Sequence, residues 1–113
     1  MKLHGIPNCD TVKKARTWLD EHRLAYTFHD FKKQGVSTAL LQGWVDRLGW
    51  EVLVNKQGTT WRKLDAARQA QVVDAASAIA LMLEQPSLIK RPVLEDGDKL
   101  IVGFKPGYYD ALT

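Results

Sequence analysis

The chain has 113 residues, 45% of them hydrophobic and 26% charged, a balance that excludes disorder or membrane embedding and suits one soluble domain with its own core. Its formal charge of +3 is spread along the chain; with no basic block and no RNA-binding arrangement of aromatics, nucleic acid is not an expected partner, and only a lean towards anionic ligands remains. No apolar run approaches the roughly 18 residues of a membrane helix, Met1 to Gly5 lack a signal-peptide apolar region, and one cysteine cannot form an internal disulfide, so a cytoplasmic protein with a free thiol and no membrane contact is expected.

Met1 to Ile6 reads as a short strand, and Pro7-Asn8-Cys9-Asp10-Thr11 comes next as a loop of helix-capping residues. From Thr11 to His22, Val12, Ala15, Trp18 and Leu19 recur at helical spacing with charged residues mainly between them, which predicts an amphipathic helix. Ala25 to Phe31 is rich in strand formers and lies where a parallel partner of the first strand would return. Met1 to Phe31 therefore reads as a βαβ unit.

After a polar turn at Lys32 to Gly35, Ser37 caps a second helix whose face carries Leu40, Leu41, Trp44, Val45 and Leu48 and which Gly49 stops. Val52 to Arg62 reads as a loop. Asp65 then caps a helical stretch presenting Val72, Val73, Ala76, Ile79, Ala80 and Leu83, either continuous or divided near Ala75 to Ala78, and Pro86 separates this stretch from the C-terminal segment. Pro92 to Glu95 and Lys99 to Gly103, joined by Asp96-Gly97-Asp98, form a hairpin pattern with Gly97 supplying the positive φ. Pro106 opens a last helix through Tyr108, Tyr109, Ala111 and Leu112. The order βαβ, helical insert, ββα resembles the thioredoxin fold: an α/β protein with a mixed four-stranded sheet, one domain over residues 1–113, and a helical insertion at about residues 34–88. No linker composition or repeat marks a second domain.

Cys9 stands where this order puts the loop between the first strand and the first helix. Free first-turn N–H groups carry partial positive charge and donate hydrogen bonds, so a sulfur there is favoured as its thiolate. Lys13 and Lys14 add positive field, while Asp10 opposes it if its carboxylate points at the sulfur. A free cysteine otherwise tends to fill a small buried site, but Pro7, Asn8, Asp10 and Thr11 are loop and cap formers that surround the sulfur with polar backbone.

Gly5-Ile6-Pro7-Asn8-Cys9-Asp10-Thr11-Val12-Lys13-Lys14-Ala15 and the later Lys90-Arg91-Pro92-Val93 resemble the motifs of the arsenate reductase and Spx family, most of all its YffB branch, over essentially the whole chain. The resemblance to the reductases implies that Cys9 is the thiol that attacks an oxyanion. It also implies that Arg91 helps hold that oxyanion and stabilises the thiolate. Pro92 is then a cis proline facing the cysteine loop, where the adjoining backbone meets a peptide-like thiol substrate. Those reductases use three arginines; here Asn55, beside Lys56, and Lys105 stand at the first and last of these positions. Lysine lacks the bidentate fork that suits a tetrahedral oxyanion, which argues against arsenate as substrate. Where Spx carries a Cys-x-x-Cys switch, this chain has Cys9-Asp10-Thr11-Val12, so an intramolecular switch is excluded.

The resemblance and the residues together imply a monothiol oxidoreductase: Cys9 attacks an activated sulfur or oxidised substrate, and an external thiol, glutathione, resolves the mixed disulfide. No bound cofactor or metal is required. Carboxylates of glutathione would meet a rim of Lys13, Arg91, Lys105 and Lys56, with Asn8, Asp10 and Thr11 lining the thiol loop. The implied partners are glutathione and a small-molecule or protein thiol or disulfide, with glutaredoxin a further one. The alternative is a non-catalytic adaptor that binds RNA polymerase in the manner of Spx, with Cys9 vestigial. Without the resemblance, Arg91 reads as a surface residue at a strand entry. His4, His22 and His29 lack metal-ligand spacing and read as packing or surface residues, although His4, at the end of the first strand, lies within reach of the thiol loop. Trp18, Trp44, Trp50 and Trp61 read as packing, Tyr108 and Tyr109 as one core and one surface residue, in either order, and Lys32-Lys33 and Arg62-Lys63 as solvated turns.

Overall fold

The computed structural model describes Met1–Thr113 and divides into two compact units, one formed by Met1–Gln34 with Arg91–Thr113 and the other by the inserted Gly35–Lys90. In the first unit, strand β1 (Lys2–Gly5) leads through a short loop into helix α1 (Asp10–Glu21), and β2 (Thr27–Asp30) returns to the sheet. Asp30 ends β2 by accepting the Lys32 N–H at 2.9 Å, which caps the single-turn α2 (Phe31–Gln34). After the insertion, β3 (Val93–Asp96) and β4 (Lys99–Val102) complete the sheet in the order β2-β1-β3-β4. β1 pairs parallel to β2 and antiparallel to β3, and β3 pairs antiparallel to β4. This is the mixed four-stranded sheet that the residue pattern predicts. Of the residues between β3 and β4 only Gly97 has positive φ, at 60°, as a two-residue hairpin with glycine in the first central position requires.

Register decides which face is apolar. Leu3 lies opposite Phe28 on one side and Leu94 on the other, and Leu94 lies opposite Ile101, so these four share a face. Ala15 and Leu19 of α1 join Leu3, Leu94 and Tyr109 in one fully buried cluster. The helix stripe and the strand alternation are therefore two sides of one core. Tyr109 is buried and Tyr108 is 43% exposed; the sequence predicts one of each, and the structure decides which. The expected last helix is corrected: only a 3₁₀ turn at Asp110–Leu112 forms, because Gly107 takes φ 93° and interrupts any helix begun at Pro106.

The inserted unit is helical. Ser37 accepts the Leu40 N–H at 3.1 Å to start α3 (Thr38–Leu48), and Gly49 at φ 87° ends it. Two short helices, α4 (Trp50–Leu53) and α5 (Thr59–Lys63), occupy the segment expected to be a loop. A single β-bridge joins Val54 to Ile89. The stretch after Asp65 is two helices, α6 (Ala66–Ala70) and α7 (Ala75–Glu84). The break falls at 71–74, ahead of the alanine-rich point suggested by composition, because Asp74 and Ser77 form a reciprocal capping box. That restart turns the helix: Ala78, Ile79, Leu81 and Met82 are buried, while Val73 is 70% exposed, so the expected face is corrected as well. No helix of the chain is long and apolar enough to cross a membrane.

Candidate active site

Cys9 occupies the N-cap of α1 with extended backbone, φ −141° and ψ 124°. Its carbonyl accepts the Lys13 N–H at 2.9 Å, closing the first helical turn, while its side chain makes no capping hydrogen bond. The half-buried thiol thus stands at the positive end of the helix without being consumed by the cap. Asn8 and Asp10 beside it are exposed and Thr11 is half-buried. Gly5, where β1 ends, brings the loop close to the helix: a Cβ there would lie 2.9 Å from Val12 Cγ2.

Sheet register gathers the other residues of this unit. His4 lies opposite Val93, so the entry to β3 stands beside the exit of β1, and the Arg91–Pro92 bond at that entry is cis. Val93 lies opposite Val102, and the Gly103 N–H donates to the Pro92 carbonyl at 2.8 Å. The Cys9 loop, the half-buried Arg91 with Pro92, and the exit segment carrying exposed Lys105 therefore leave the sheet at the same end. Lys13, exposed one turn into α1, is the third basic residue near this end, placed there by the helix that begins after Cys9. Lys56 belongs to the inserted unit, where its ammonium lies 5.6 Å from the Trp50 ring centre and 5.3 Å from that of Trp61, a cation–π arrangement. Asn55, its neighbour, accepts the Gln57 N–H at 3.1 Å and so shapes that loop.

Two features were not legible as such in the sequence. His4 is buried on the sheet face opposite the Leu3 cluster, with its Nε2 2.5 Å from Glu95 Oε1 and its ring 4.9 Å from that of His29. Because a carboxylate only accepts, Nε2 carries the proton of the neutral ring and donates it. Burial holds the His4 imidazole below its ordinary 6.5, against the opposing pull of Glu95. The second is a groove of about 420 Å³ along α1, lined by Lys13, Lys14, Thr17, Trp18 and Glu21 on the helix and by Phe104, Pro106 and Gly107 from the exit segment. The signal for the groove was present only as the exposed counterpart of the helix stripe; its second wall comes from the other end of the chain.

A thiol in the loop between β1 and α1, with a cis proline entering the neighbouring antiparallel strand, defines a thioredoxin-like protein with a single-cysteine site. The chain belongs to the ArsC family, whose model matches residues 4–112. It is similar to an uncharacterized protein of Haemophilus influenzae, 40% identical over 109 residues that span 96% of this chain and 95% of that one. The solved structure of a YFFB protein is 56% identical with a TM-score of 0.92, covering 97% of this chain and 96% of the other. An arsenate reductase (ArsC) related protein from Brucella melitensis is 54% identical with a TM-score of 0.79, covering 97% and 91%. The global transcriptional regulator Spx 1 of Lactococcus lactis is 27% identical over 104 residues, 90% of this chain and 80% of that protein. ArsC-family membership thus brings together arsenate reductase-related structures and Spx-type regulators.

Proposed function

We propose that this protein is a cytoplasmic, glutathione-dependent monothiol reductase with Cys9 as its nucleophile. The observation that carries the reading is the half-buried Cys9 thiol at the N-cap of α1, uncommitted to capping, at the sheet end where Arg91, cis Pro92 and Lys105 also emerge. In the reaction, the Cys9 thiolate attacks one sulfur of a disulfide substrate, forming a mixed disulfide and expelling the other sulfur as a thiolate. A glutathione thiolate then attacks the substrate sulfur, frees Cys9 and leaves the substrate joined to glutathione. Glutathione is a co-substrate and no resident cofactor takes part. Its carboxylates pair with Lys13, Arg91 and Lys105, and the Pro92 and Asn8–Thr11 backbone meets its peptide body. With lysine at 105 and asparagine at 55, a tetrahedral arsenate is a poor substrate compared with a disulfide.

Turnover of a mixed disulfide of glutathione and 2-mercaptoethanol, coupled to glutathione disulfide reduction, tests the reading. Wild type turns over and Cys9→Ser does not; equal rates would sink it. A second reading, an adaptor that binds RNA polymerase, is supported by the similarity to Spx 1 of Lactococcus lactis. Co-purification of polymerase subunits that persists in Cys9→Ser would favour it.

A further inference from the structure

We propose that the groove along α1 docks a polypeptide substrate, presenting the mixed disulfide of that polypeptide with glutathione to Cys9; the inference rests on the monothiol reading above. The groove is lined by half-exposed Trp18 and Phe104 with exposed Pro106, and by charged Lys13 and Lys14 near the start of α1 and Glu21 at its last residue. Glutathione has no large apolar side chain to cover Trp18 and Phe104, so the basic rim suits glutathione and the groove suits something else. Lys13, Thr17 and Glu21 come after Cys9 at intervals of four residues, a stripe that leads from the sulfur into the groove.

The helix rise fixes what fits. Lys13 and Lys14 lie about 6–8 Å beyond Cys9 along the axis, and Trp18 about 13 Å beyond it. An extended peptide advances about 3.3–3.6 Å per residue. With Lys13 on the glutathione rim, the complementary segment carries an acidic residue facing Lys14, about two positions from its cysteine, and a large apolar residue about four positions from it. A polypeptide with that pattern brings its disulfide to Cys9, the glutathione sulfur nearest the thiolate and the peptide sulfur beyond it, while its apolar side chain covers the indole and Phe104. The Cys9 thiolate attacks the glutathione sulfur, forming the Cys9–glutathione disulfide and expelling the peptide thiolate. A second glutathione thiolate attacks the glutathione sulfur on Cys9, restoring the Cys9 thiolate and releasing glutathione disulfide.

The test compares two S-glutathionylated peptides, each with Glu two residues from the cysteine, one with Phe and the other with Ala four residues from it. Burial of the aromatic ring makes the Phe peptide about tenfold faster in peptide-thiol release. Thr17→Trp, which fills the groove from an exposed helical position, brings the ratio of the two peptides to about one. Equal rates in wild type, with the small mixed disulfide still turned over, would overturn the groove and leave the thiol chemistry standing. If none of the three disulfides is turned over, the thiol reading falls. The groove is then decided by titrating labelled protein with the Phe peptide carrying Ser for Cys: NMR shifts confined to the Trp18 indole, Phe104 and α1 support docking, and their absence overturns it.

Discussion

Gly5, at the end of β1, packs closely against Val12 of α1, and this contact gives a quantitative handle on how the Cys9 loop is held. A Cβ at position 5 would lie 2.9 Å from Val12 Cγ2, 3.6 Å from Cγ1 and 3.8 Å from Cβ. Val12 is fully buried and, being β-branched on a helix, has one strongly preferred rotamer, so it cannot swing aside. Gly5→Ala therefore costs about 2 kcal/mol through overpacking. Val12→Ala alone costs about 2 kcal/mol by leaving a cavity. In the double variant the nearest of those three atoms is Val12 Cβ at 3.8 Å, an ordinary contact, and the new methyl occupies part of the vacated space. Gly5 is not among the glycines at positive φ, so alanine there brings no backbone strain. The double variant should lose about 2 kcal/mol, where additivity gives about 4 kcal/mol, a coupling well above the roughly 0.5 kcal/mol scatter of independent sites. Urea titration of the four proteins, with unchanged m values, measures it. Additive losses, or a Gly5→Ala protein as stable as wild type, would refute the packing argument.

His4 supplies a pH test: its folded-state value is held below 6.5, mainly by burial, so between the two values the unfolded chain binds more protons. Its contribution to stability is complete above pH 6.5 and is lost as pH falls through the folded value, at no more than about 1.4 kcal/mol per pH unit. Urea titrations on both sides of that pH should show this component in wild type and not in His4→Gln; identical profiles would contradict it. Tyr109 offers a test of opposite sign to most core changes. Its hydroxyl is buried with no protein hydrogen-bond partner, and burial raises its pKa above the ordinary value; Tyr109→Phe should therefore raise stability by about 1 kcal/mol. A loss of that size in thermal unfolding would count against the assignment. For the site itself, wild type incubated with glutathione disulfide is expected to form a Cys9–glutathione mixed disulfide, read by mass spectrometry, and Cys9→Ser is not; the adduct on Cys9→Ser would place the nucleophile elsewhere.

How far the chain was legible depended on the range of the forces involved. The stripe Val12, Ala15, Leu19 marked α1 because each position is buried or exposed according to a local period. The two short apolar runs joined by Asp96-Gly97-Asp98 marked the hairpin because turn chemistry is equally local. Misreadings arose where one local device overrode composition: the Asp74–Ser77 box moved the break between α6 and α7 and rotated the buried face, and Gly107 at φ 93° stopped the last helix.

Taken alone, the order of residues determined that a lone cysteine would stand between the first strand and the first helix, that no second cysteine would lie a helical turn away, and that an insert would separate it from Arg91-Pro92. These come from period, capping chemistry and residue identity, which act over a few residues. Tertiary structure alone decided that Pro92 enters β3 beside the exit of β1, that His4 is buried against Glu95 across 91 positions, and that Phe104 and Pro106 form the second wall of a groove on α1. Each depends on strand register between distant segments, and register is set by burying Leu3, Leu94 and Tyr109 in one cluster, a requirement that no local window of sequence expresses.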